Sequence, residues 1–96
     1  VKLSAIGREY AHIPVVTAIG VSVEVSFDNG LTWNSAERPS DTEARVLVAG
    51  PDAQSNPAGT VVLDLGRHPV HVRVLPASED IIRPVGYIQV CLVADL

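Results

Sequence analysis

The amino-acid sequence predicts an all-β fold, a single small antiparallel β-sandwich of about seven strands, with a partly open barrel as the alternative. Three observations carry this prediction. Apolar and polar residues alternate with a period of two, most clearly over Val21-Ser22-Val23-Glu24-Val25-Ser26-Phe27. The apolar stock is dominated by β-branched and small residues, with Val frequent, no Met and only 4% aromatics. Proline and glycine signals recur between the alternating stretches, and no window sustains the i, i+3, i+4 stripe of a helix.

The strands follow in chain order. Glu9 to Thr17 reads as the first, placed at a sheet edge or bulge because Pro14 cannot donate to a ladder. Val21 to Phe27 is a half-buried strand with one wet face. Ala44-Arg45-Val46-Leu47-Val48 and Pro69-Val70-His71-Val72-Arg73-Val74 repeat the alternation, with Arg45, His71 and Arg73 on the polar side. Thr60 to Leu65 and Val85 to Val93 are more continuously apolar, which predicts strands covered on both faces. Turns are expected at Ile19-Gly20, Asp28-Asn29-Gly30, Arg38-Pro39-Ser40-Asp41, Gly66-Arg67 and Arg83-Pro84, and a longer loop from Gly50 to Gly59. Number and spacing suit an immunoglobulin-like sandwich.

Length and charge bound the function. The chain of 96 residues fits one domain, 1–96, with 47% hydrophobic residues to fill a thin core. Seven Lys and Arg are scattered singly against 11 Asp and Glu, and the net charge of −4 predicts no direct nucleic-acid partner. One cysteine, Cys91, excludes an internal disulfide, so the fold does not depend on an oxidising compartment, and cytosolic assembly is compatible with that. No apolar run approaches the ~18 residues that span a bilayer, and the N-terminus lacks the pattern of a secretory signal. No membrane partner is expected.

Candidate chemistry is sparse. His68 and His71 fall three apart and so on opposite strand faces, His12 is distant, and Cys91 has apolar neighbours, which leaves no convergent metal set. Glu79-Asp80, Asp41 and Glu43 fall in loops or at strand ends without a sign of a cleft. No nucleophile elbow, phosphate loop or Cys/His dyad appears. The expectation is a protein without catalytic residues, cofactor or metal. Arg45, His71 and Arg73 are expected to form a basic stripe on one sheet, either paired with carboxylates such as Glu24 or serving as an interface.

The most specific local signal is Ser26-Phe27-Asp28-Asn29-Gly30-Leu31-Thr32-Trp33, which fits S-x-D-x-G-x-T-W and holds the only tryptophan. It resembles the Asp-box of sialidases and related propellers, a structural hairpin away from the catalytic centre. That resemblance implies that Asp28 accepts hydrogen bonds from loop amides, that Gly30 takes a positive φ and that Trp33 packs across the hairpin base, with Ser26, Asn29 and Thr32 in the same structural hairpin. A propeller needs several four-stranded blades, which a chain of this length cannot supply.

A wider resemblance spans most of the chain. Arg8-Glu9-Tyr10-Ala11-His12-Ile13-Pro14-Val15, Ala44-Arg45-Val46-Leu47-Val48, and Val70 to Val74 with Ile82 to Val90 are similar to strands of small virion proteins from tailed bacteriophages of actinobacteria. The resemblance implies a non-enzymatic head-decoration or head-to-tail connector protein, present in multiple copies and bound to capsid, portal, connector or tail subunits. It also implies a virion location after assembly in the host cytoplasm. The rival is a carbohydrate-binding or adhesion module, which needs an exposed row among Tyr10, Phe27, Trp33 and Tyr87. A small enzyme is a third possibility, and its requirement is a deep polar pocket.

Overall fold

The computed structural model describes residues 2–17, 21–75 and 81–92. It contains β1 (Lys2–Ser4), β2 (Arg8–Pro14), β3 (Ser22–Ser26), β4 (Asn34–Ser35), β5 (Glu37–Ser40), β6 (Glu43–Ala49), β7 (Val61–Val62), β8 (Gly66–Leu75) and β9 (Ile81–Cys91). One sheet runs in the order β1-β9-β8-β3-β4, the other β2-β6-β5 with β7 added to β6. The fold is therefore the expected all-β sandwich. Its connectivity is immunoglobulin-like: β2, β6 and β5 occupy one layer, while β3 pairs with β8 and β8 with β9 in the other. Two short parallel pairings, β1 with β9 and β6 with β7, join an otherwise antiparallel structure.

Alternation explains the core. On β3 the side chains of Val23 and Val25 turn inward, on β6 Ala44, Val46 and Val48, on β8 Val70 and Val72, and on β9 Ile88 and Val90. These form a single cluster with Leu3, Ile13, Val15, Phe27 and Leu63, so both sheets contribute to one apolar layer. Trp33 stays outside that layer and only half-buried, and the core is filled by aliphatic side chains and Phe27. Gly50 lets the end of β6 press against the turn that follows β1. A Cβ there would lie 2.3 Å from the Ala5 carbonyl oxygen, while Gly50 N–H donates to Gly7 O and Asp52 N–H to Ala5 O.

Several expectations need correction. Arg38-Pro39-Ser40 is strand β5, and the turn lies at residues 41–42. Pro39 is tolerated because β5 is an edge of its sheet. Gly66-Arg67 and Arg83-Pro84 lie inside β8 and β9, where the register shift leaves Val85 as an extra residue, and Gly86 takes φ 121° beside it. The stretch from Thr60 to Leu65 narrows to Val61–Val62, with Val62 and Leu65 about half exposed, so it is not covered on both faces. β9 is likewise one-sided: Ile88 and Val90 are buried, whereas Tyr87 and Gln89 face outward. β1, β4 and β5 were below the length at which a period of two is readable. The edge position expected for Pro14 is observed, since β2 borders its sheet. The expected strand continues past Pro14 only as two hydrogen bonds, from Val15 N–H to Thr42 O and from Thr17 N–H to Asp41 O. Ile19, Gly20, Glu79, Asp80 and Val93 lie outside the described residues.

Candidate functional site: a fastened hairpin and a polar sheet face

The octet closes the β3–β4 hairpin. Pairing ends at Val25 opposite Asn34, and residues 26–33 form the connection. Asn29 and Gly30 sit at φ 60° and 85°, the two positive angles that a type I′ turn demands, and Leu31 N–H donates to Asp28 O. Ser26 is the hub of this loop. Its hydroxyl donates to Asp28 Oδ1 at 2.7 Å and accepts the N–H groups of Gly30 at 2.8 Å and Asp28 at 3.3 Å. Asp28 Oδ1 also accepts the Thr32 N–H at 2.9 Å. The Ser26 hydroxyl, followed by the Thr32 amide, holds the Asp28 carboxyl below its ordinary range.

Trp33 folds back over the outer face of the first sheet. The Arg73 guanidinium lies 4.3 Å from its ring, and a Cβ at Gly30 would stand 3.4 Å from the same indole. Arg73 is held in turn by Glu24, its cross-strand partner, through Nε at 3.0 Å and a second bond from Nη2 to the same oxygen. The loop, β3 and β8 are thus joined by a stack of carboxylate, guanidinium and indole. The residues expected in the hairpin come together as a unit, and the pairing of Arg73 with Glu24 is observed.

The expected basic stripe is not formed. Arg45 is on β6 in the second sheet, whereas His71 and Arg73 are on β8 in the first, so the three cannot share a face. Arg45 donates to Glu37 at 2.8 Å and lies 4.2 Å over the Tyr10 ring; the Glu37 bond holds its guanidinium above the usual range. The Nδ1 atom of His71 is buried and meets no hydrogen-bond partner among the described residues. A period of two reports which face a residue takes within its strand, not which sheet receives the strand.

Two further arginines were not singled out in the sequence. Arg67 lies 3.7 Å over the ring of Tyr87 on the outer side of β8 and β9. Arg38 reaches Glu43 O, Val21 O, Thr17 O and Ser40 O, at 3.1, 3.3, 2.7 and 3.3 Å, and so ties the chain between β2 and β3 to the turn between β5 and β6. In the sequence only the adjacent Pro39 marks it, and Arg38-Pro39 carries a turn signal.

Where the two sheets part, Tyr10 and Ile13 of β2 face Val70, Val85, Tyr87 and Ile88 across an apolar cleft of about 260 Å³. A second notch of about 340 Å³ lies beneath the hairpin and includes Asp28, Asp64 and His68, with His68 Nε2 bonded to Asp64 O. Among the described residues no group of three His, Cys, Asp or Glu side chains is placed to hold a metal ion. Phe27 is buried, and Tyr10, Trp33 and Tyr87 each carry an arginine over the ring. Tyr10 is on one sheet and the other two on the opposite one, so these rings make no continuous row for a sugar.

Comparison of the chain with protein-family models, curated proteins and solved structures yields no match.

Proposed function

We propose that the chain is a non-enzymatic structural protein of a bacteriophage virion, decorating the capsid or helping to join head to tail. The observation that carries this reading is where the three phage-like stretches fall. Arg8 to Val15 and Ala44 to Val48 are the paired strands β2 and β6, and the remaining stretch is the β8–β9 hairpin. The resemblance therefore follows the paired framework of both layers, and the loops and polar strand faces are where a docking partner would be met. Arginines spent on fastening strands and rings to one another fit a rigid module that is held in place by neighbours. The buried thiol of Cys91, unpaired, fits assembly in a reducing cytoplasm.

The partners would be capsid, portal, connector or tail subunits, met by many symmetry-related copies. The test is the copy number of this chain in purified particles, by quantitative mass spectrometry and by its density in particle images. A fixed, symmetry-related number supports the proposal. Recovery only in the particle-free fraction would sink it.

A further inference from the structure

Among the described residues β1, β2, β4, β5 and β7 border the sheets, and all but β2 are poorly suited to pairing with another chain; β1 has three residues and β7 two. β4 has two residues, and β5 has four with Pro39 and a register shift. β9 is covered by β1 only at Gln89 to Cys91, and its remaining length is interrupted by Pro84, Gly86 and the extra residue Val85. Such interruptions are how sheets blunt their edges. β2 is different: seven residues pair with β6 in unbroken register, and the other side of β2 pairs with no strand among the described residues.

The polarity of that edge follows from two bonds. Val15 N–H donates to Thr42 O and Gly50 N–H donates to Gly7 O, so the odd residues turn their backbone groups towards β6. Arg8, Tyr10, His12 and Pro14 therefore present theirs to the open side. Pro14, which has no N–H, loses nothing from the internal ladder.

We propose that this edge pairs with β2 of a second copy, antiparallel, about a twofold axis at Ala11. In that register the full strand overlaps itself. Arg8 lies opposite Pro14, Glu9 opposite Ile13, Tyr10 opposite His12, and Ala11 opposite its own counterpart. Each Tyr10–His12 pair exchanges two backbone hydrogen bonds, and each Arg8 N–H reaches a Pro14 carbonyl. No charge meets a like charge across the strands. β2 also carries Arg8 against Glu9, so the edge is balanced on a chain whose net charge is −4, and two acidic copies can approach there. The result is one continuous sheet of the two copies, the isologous pairing typical of closed dimers. This inference does not need the virion reading and is tested on the purified chain alone, so either can fail without the other.

The experiment is sedimentation equilibrium of the full chain from micromolar to millimolar concentration, with three companions. Ala11→Cys should form a disulfide-linked dimer on mild oxidation, because directly opposed residues outside the hydrogen-bonded pairs lie about 4.5 Å apart at Cα. Thr32→Cys, exposed on the hairpin, should not. His12→Pro removes an outward N–H from each copy and should weaken the dimer about thirtyfold while leaving the monomer's circular dichroism unchanged. Should a variant fail to fold, hydrogen exchange of the wild type decides: the Arg8, Tyr10 and His12 amides gain protection as concentration rises. A wild type that remains monomeric at millimolar concentration, cross-linking of Ala11→Cys no faster than of Thr32→Cys, or exchange independent of concentration would each overturn the proposal.

Discussion

Ser26 is fully buried at a position where the strand pattern calls for a solvated residue, because the loop it organises folds back over it. Its hydroxyl is the partner of Asp28 and of the Gly30 amide, so Ser26→Ala leaves that amide without an acceptor and loosens the carboxylate as well. A loss of about 1–2 kcal/mol is expected in urea denaturation. No change in midpoint would show that the hub is dispensable. Asp28 makes the loop sensitive to acid. Its pKa is lowered from 3.8 in the folded state, so the stabilisation is fully present above that unfolded value and is lost as pH falls through the lower folded value. The melting temperatures of the wild type and Asp28→Asn should therefore differ at neutral pH and converge as pH falls below the lowered folded value. A gap that stays constant into acid would contradict this role. At His71 the sequence shows only an outward-facing strand residue, whereas the structure buries Nδ1 without a hydrogen-bond partner among the described residues. Replacing an unpaired buried polar group by an apolar one of similar shape is neutral or favourable, so His71→Phe should gain about 0–1 kcal/mol by the same urea assay. A loss above about 1 kcal/mol would mean that the imidazole does have a partner in solution.

At the scale of the elements, legibility followed length and alternation. β3, β6 and β8 were readable because their inward valines recur every second residue, and the hairpin was readable because Asp28-Asn29-Gly30 names its own turn. β5 was not, since Arg38-Pro39 carries a turn signal locally and becomes an edge strand only because β6 lies beside it. The exposure of β9 is not legible in the sequence for a related reason: Pro84 and Gly86 sit at the extra residue Val85, which re-aims the side chains on either side. Of the candidate site, the octet was legible residue by residue, while the Trp33–Arg73–Glu24 stack depended on which strand became the neighbour of β3. In the sequence Gly50 reads as the start of a loop, but its role is a close approach. The Ala5 carbonyl oxygen stands 2.3 Å from where a Cβ would be, and both groups are backbone, so neither has a rotamer to yield. Gly50→Ala should force β6 from the β1–β2 turn, break the bonds to Gly7 O and Ala5 O, and cost about 2–4 kcal/mol. A Gly50→Ala variant that melts within two degrees or so of the wild type would show that the turn shifts freely.

Across the whole molecule the layers are held by one apolar cluster and, at one end, by a single cation. β8 and β9 have 10 and 11 residues against seven for β2 and β6, so the first sheet outruns the second. Arg38 supplies the acceptor carbonyls of residues 17, 21, 40 and 43 with a charged donor, joining the chain before β3 to the turn between β5 and β6. Charge-assisted bonds are worth more than neutral ones, and a planar guanidinium can address several carbonyls at once where an ammonium cannot. Arg38→Ala strands these acceptors partly out of water and is expected to cost about 2–4 kcal/mol; Arg38→Lys should recover less than half of that loss. Because the clamp acts on the segment between β2 and β3, the loss should be local as well as global. Hydrogen exchange in Arg38→Ala should rise first at the Val15 and Thr17 amides, which bond to the turn at Thr42 and Asp41, before it rises at Val25 or Val72 in the core. Uniform acceleration across all amides would instead show that Arg38 stabilises only the global fold, and full recovery by lysine would show that charge alone suffices.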